Sequence, residues 1–157
     1  MILEIKVVGI IGAGQMGLGI AQVLATSKYE VIINDNNETV LSDAIKVLEK
    51  AVHRAMEKGK LKGENPASVI DRIKFKSRIS DLSKCDLIIE AATEDEQIKH
   101  DIFQTLIPHL KPETILTSNT SSISITRLAA RTDRPEKFMG CHFMKPAPLM
   151  QLVELVR

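Results

Sequence analysis

The feature that most constrains this chain is Gly12-x-Gly14-x-x-Gly17, set between an apolar run at 5–11 and a stretch where Met16, Ile20, Val23 and Leu24 recur at helical spacing. A second apolar run, EVIIN at 30–34, ends at Asp35, 18 residues beyond the third glycine. Strand, glycine turn, helix, strand and acid together predict a βαβ unit that holds a dinucleotide. Gly12 permits the tight turn, Gly14 lets a pyrophosphate approach the backbone, and Gly17 lets helix pack closely on strand. The helix start, with Ala13, Gln15 and Met16 completing the loop, offers free N–H groups and a positive dipole end to the phosphates. Asp35 is placed to accept hydrogen bonds from the adenosine ribose. An acid followed by Asn36 and Asn37, with no Arg, favours NAD over NADP.

The remaining pattern alternates in the same way. Leu41, Ala44, Leu48, Ala51 and Ala55 form an apolar seam that stops near Gly59, and Asn65-Pro66 opens a second helix to about Ile70. The two predict a helical hairpin inserted before the next strand, at 73–76. A buried strand follows at 87–90. Thr93-Glu-Asp-Glu96 matches a capping box ahead of Ile98, Ile102, Leu106 and Leu110, with Pro108 expected to kink or end that helix. Strands are expected at 114–117, at 137–141 ending at His142, and at 149–156, with a short helix around 125–130. Alternating strands and helices predict an α/β fold: a doubly wound, mostly parallel sheet in which the final strand can return antiparallel.

Composition narrows the function. The 157 residues carry 21 Lys plus Arg against 20 Asp plus Glu, a balance that argues against a nucleic-acid partner or a polybasic membrane surface. Four Phe, one Tyr and no Trp leave no stacking platform for single strands and imply an aliphatic core. Cys85 and Cys141 have no CxxC partner, so no zinc or other metal site is expected, and they read as buried apolar residues in a reducing, cytoplasmic setting. No signal peptide or membrane-length apolar run is visible.

Two further constellations carry chemistry. Ser118-Asn-Thr-Ser-Ser122 follows a strand, where ligands sit in open α/β sheets, though it also reads as a polar loop and helix cap. Gly140-Cys-His142-Phe-Met-Lys145-Pro146-Ala-Pro148 places an imidazole among apolar neighbours, with Glu154 12 residues on in a strand that can lie alongside. A carboxylate beside an imidazole fixes its tautomer and raises its basicity, but a satisfied buried histidine gives the same pattern. His53, His100 and His109 fall among charged residues on helical stretches and read as surface positions.

These segments (GAGQMGLGIAQ, DLIIEAATEDEQIK, SNTSSISITRLA and GCHFMKPAPLMQLVELV) resemble the L-3-hydroxyacyl-CoA dehydrogenases, including the 3-hydroxybutyryl-CoA dehydrogenases, over essentially the whole chain. The resemblance implies a Rossmann-type NAD-binding domain at 1–157. It implies hydride transfer between NAD and a short-chain L-3-hydroxyacyl-CoA. His142 then matches the catalytic acid/base, Glu154 its orienting carboxylate, and Ser121 the hydroxyl at the substrate's 3-oxygen and near the nicotinamide. Asn119, Glu94 and Lys99 match cofactor-proximal positions. Lys58 falls where the family places a basic residue against coenzyme A phosphates, although Lys50, Arg54, Lys58, Lys60 and Lys62 also read as a solvated face.

Two departures from that pattern stand out. Lys145 replaces the Asn of the family's His-Phe-x-Asn-Pro, and a cation there disfavours imidazolium, which implies altered or weakened activity. The family's helical C-terminal domain, which supplies dimer contacts and a further catalytic Asn, is expected to be absent from these 157 residues. Two readings follow: the cofactor domain of a hydroxyacyl-CoA dehydrogenase, or a truncated or stand-alone NAD-binding module without turnover of its own.

Overall fold

The computed structural model describes residues 4–157, so the first three residues of the expected 1–157 domain lie outside the described residues. Its sheet has seven strands: β1 (Val7–Ile11), β2 (Glu30–Asn34), β3 (Ile73–Lys76), β4 (Leu87–Glu90), β5 (Ile115–Ser118), β6 (Phe138–Phe143) and β7 (Val153–Val156). The spatial order is β3-β2-β1-β4-β5-β6-β7. All neighbouring pairs are parallel except β6 and β7, which run antiparallel. The expected doubly wound, mostly parallel sheet with an antiparallel return is therefore the observed fold.

Alternation along the strands divides the core between two faces. Val8, Ile10, Val31, Ile33 and Ile89 join one cluster with Ile20, Ala21, Leu41, Ala44, Leu48, Val52 and Val69. Those partners belong to α1 (Gln15–Thr26), α2 (Glu38–Glu57) and α3 (Pro66–Asp71). Ile11, Ile32, Ile88 and Leu116 point the other way, against Phe103, Leu106 and Leu128 of α4 (Glu96–Leu106) and α5 (Ile125–Ala130). The period of two sends successive side chains of each strand to opposite helical layers. Phe103 meets Phe138 edge-on at 5.1 Å in the second layer, while Tyr29, Phe75 and Phe143 pack in the first.

Several boundaries differ from the sequence expectation. The helix after β4 is capped by Asp95, whose carboxylate accepts from Ile98 N–H, and Thr93 plays no part in the cap. The seam of α2 is completed by Val52 at 0% exposure, whereas Ala51 and Ala55 are only half-buried. A larger side chain one position on reaches the sheet better than either alanine. Pro108 lies in a short 3-10 turn at Ile107–His109, so it ends α4 rather than kinking it. β6 runs one residue past His142, and only the second half of 149–156 is strand. His53 and His109 are exposed, while His100 is half-buried.

Asp86 ties together the amino ends of the central strands β1 and β4. Its carboxylate accepts from Lys6 N–H and Val7 N–H at 2.9 Å each and from Lys111 Nζ at 2.6 Å. Burial pushes this carboxyl up, but the lysine and the two backbone donors outweigh it and hold it at about 2. Cys85 beside it is fully buried, and desolvation pushes its thiol up to about 12. Cys141 is raised for the same reason.

Candidate functional site

Strand order reverses between β1 and β4, and a crevice opens at the carboxyl ends of the strands there. A cleft of about 750 Å³ occupies that position. It brings together Gly12, Gly14, Gln15, Met16, Asp35, Glu94, Lys99, Asn119, Ser121, His142 and Lys145, which sequence reasoning had selected from separate stretches. Ala13 and Gly17 lie in the same turn but do not line the cleft. Glu154 stands behind His142. Lys58 is the exposed C-cap of α2 and also lies outside the cleft lining.

The glycines act as the motif requires. Gly12 has φ of +104°, and a Cβ there would sit 2.6 Å from the Ala91 carbonyl oxygen. A Cβ on Gly17 would lie 1.9 Å from the Gly12 carbonyl oxygen, so the helix can meet the turn only without a side chain. Gly14 differs: nothing lies within 4 Å of its Cβ position. It begins α1 with no side-chain cap, whereas Asn37, Asn65, Asp95 and Ser124 cap α2 to α5. An uncapped helix start under open space is a cradle for an anion. Asp35 closes the β2 end, accepting from Ala13 N–H at 3.1 Å and Asn37 N–H at 3.0 Å. Its hold on Ala13 ties the acid to the glycine turn.

The opposite wall rests on a buried polar network that the sequence reading did not find. Glu90, at 0% exposure, receives Lys99 Nζ at 2.8 Å on each oxygen, Ser118 Oγ at 2.6 Å and Ala92 N–H at 2.8 Å. Lys99 also stands 3.7 Å from Glu94. The Thr120 and Ser122 hydroxyls donate to Glu94. Burial pushes Glu94 up, but these hydroxyls and the Lys99 charge leave it below the usual carboxylate range. The signal available in the sequence was a charged residue ending the apolar run LIIE, nine positions before a lysine.

His142 and Glu154 are paired directly across β6 and β7, which places both side chains on one face. His142 Nδ1 lies 2.9 Å from Glu154 Oε2. A carboxylate only accepts, so this bond requires the proton on Nδ1 and leaves Nε2 free. Asn119 Oδ1 accepts from Phe143 N–H at 2.7 Å, joining the loop after β5 to the histidine strand. Lys145 is exposed and has no ion-pair partner among the described residues.

The profile of the family described as 3-hydroxyacyl-CoA dehydrogenase, NAD binding domain, matches residues 7–157. The chain belongs to this family. A probable 3-hydroxybutyryl-CoA dehydrogenase of Deinococcus radiodurans is 50% identical over 95% of the chain, which covers 53% of that relative. The 3-hydroxybutyryl-CoA dehydrogenase of Bradyrhizobium diazoefficiens is 49% identical over 98% of the chain and 52% of the relative. The crystal structure of (S)-3-hydroxybutyryl-CoA dehydrogenase PaaH1 from Ralstonia eutropha superposes with a TM-score of 0.92 at 41% identity, over 97% of this chain and 54% of that one. The chain spans about half the length of the curated relatives it matches. NAD is the cofactor of this domain family, and the anion cradle at Gly14 with Asp35 beside the turn fits its pyrophosphate and ribose.

Proposed function

We propose that this chain is the cofactor-binding half of an NAD-dependent L-3-hydroxyacyl-CoA dehydrogenase for short acyl chains such as 3-hydroxybutyryl-CoA. The carrying observation is that His142, backed by Glu154 at 2.9 Å, opens onto the same cleft as the glycine turn. When bound there, NAD supplies the hydride acceptor. In the oxidising direction the free Nε2 of His142 takes the proton of the substrate's 3-hydroxyl. In the reverse direction the imidazolium returns it. Glu154 holds Nδ1–H and stabilises the imidazolium, and such acid–base help is worth roughly 10²–10⁴-fold in rate. Ser121 at the cleft offers a hydroxyl to the 3-oxygen, and Asn119 keeps that loop against the histidine strand. Glu94 and Lys99 shape the cofactor's far wall, and Lys58 reaches toward the substrate's phosphates from outside the cleft.

A second reading has its own observation. All four residues of β7 are exposed, with Leu155 at 66%, so Glu154 sits on an open edge strand. An edge of that kind suits an NAD-binding module whose turnover needs a helical domain, supplied in the homodimer of a longer protein or by a separate chain. Titrating NADH and measuring acetoacetyl-CoA-dependent NADH oxidation on one preparation tests both. Binding with oxidation supports a complete catalyst, and binding with little or no oxidation supports the module. Absence of NADH binding refutes the cofactor assignment itself.

A further inference from the structure

The buried pair beneath the cleft suggests how the domain distinguishes the two redox forms of its cofactor, an inference that rests on the NAD reading above. An extended dinucleotide with its ribose at Asp35 just past β2 and its pyrophosphate at the turn after β1 has its nicotinamide half over the β4–β6 side. The charged groups on that side are Glu90, Glu94, Lys99, Lys145 and the His142–Glu154 pair. Lys99 is 1% exposed, and both of its short contacts go to the equally buried Glu90. Its charge is therefore shared, and Glu90, Glu94 and Lys99 together keep one net negative charge, carried toward the cleft by Glu94, which stands 3.7 Å from Lys99 and reaches solvent at 44% side-chain exposure. Lys145 is the opposing charge, and it is exposed and screened by water.

We propose that Glu94 is an electrostatic discriminator, held by Thr120 and Ser122 and left as a net negative charge at the cleft because Glu90 shares the single cation of Lys99. The oxidised nicotinamide ring is cationic and the reduced ring neutral. A fixed carboxylate on this wall therefore holds NAD⁺ more tightly, relative to NADH, than a neutral wall does. Glu90 acts through Lys99 and is a positioning residue.

The test is separate calorimetric titration of NAD⁺ and NADH into the wild-type chain, Glu94→Gln and Lys145→Gln. Gln keeps an acceptor oxygen for Thr120 and Ser122, so the loop is preserved while the charge is lost. Glu94→Gln is expected to shift the ratio of the two dissociation constants toward NADH by about fivefold or more, and Lys145→Gln to shift it toward NAD⁺. An unchanged ratio in Glu94→Gln with both affinities falling together overturns the proposal, as does a shift of both variants in one direction. Failure of the wild-type chain to bind either form would instead refute the cofactor reading.

Discussion

Two alanine substitutions in one glycine motif should have opposite consequences. At Gly17 an added Cβ meets the Gly12 carbonyl oxygen at 1.9 Å, about 1.5 Å short of the 3.4 Å of ordinary contact. Both partners are backbone, so no side chain can rotate away. The helix must move off the turn, at about 3 kcal/mol for overpacking of this kind. For a chain of this size that lowers the melting temperature by roughly 6–12 °C. At Gly14 the Cβ position is open, and φ of −76° suits any residue. Gly14→Ala should therefore change stability by no more than about 1 kcal/mol, a small helix-start penalty against a gain in backbone restriction. Its methyl group instead occupies the anion cradle. Losing one charge-assisted hydrogen bond to the pyrophosphate, ~1.5–3 kcal/mol, weakens NADH by about tenfold or more. Thermal melts and NADH fluorescence titrations of both variants distinguish the effects. A wild-type melt for Gly17→Ala, or wild-type NADH affinity for a folded Gly14→Ala, would refute the assignment of the two glycines.

Other outcomes follow from single contacts. His142→Gln should abolish acetoacetyl-CoA reduction, measured in whatever complete assembly turns over, while NADH binding persists; lost NADH binding would make His142 structural. In the same assay, Lys145→Asn should change the rate or pH profile, and an unaltered profile would show Lys145 to be neutral there. Asp86 is held at about 2 in the fold against an unfolded 3.8, so it stabilises above pH 4 and its contribution fades as pH falls toward 2. Asp86→Asn should cost about 2 kcal/mol at pH 7 in urea melts and almost nothing near pH 2. Cys85, buried with its thiol pushed up to about 12, should resist maleimide until the chain unfolds; rapid labelling of the native chain at pH 7 would contradict that burial.

The site was legible to the extent that its chemistry is local in sequence. The glycine spacing, the acid after β2 and the strand periods are each fixed by neighbours a few residues away. That is why the α/β sheet and its antiparallel return could be stated from the chain alone, whereas Glu94, Lys99, Asn119 and Ser121 entered through the family resemblance. The spacing of Thr93 to Glu96 fits a capping box, yet Asp95 is nearer the helix start and its stronger acceptor takes the N–H. Glu90 was passed over because an acid ending an apolar run carries no periodic signal. Its meaning comes from Lys99 one helix turn into α4 and Ser118 on the next strand.

Sequence by itself determined the local chemistry on offer: a turn with glycines where a Cβ would clash, an acid beyond it, and a histidine followed by a carboxylate. Tertiary structure decided how they combine. Antiparallel register puts Glu154 opposite His142 and so selects the free Nε2. Parallel crossovers bring the ends of β1, β2, β4, β5 and β6 to one cleft. Burial joins Glu90 to Lys99, because a charge removed from water must find its partner within the fold. Local sterics are written along the chain, whereas pairing and desolvation depend on which distant segments the sheet makes neighbours.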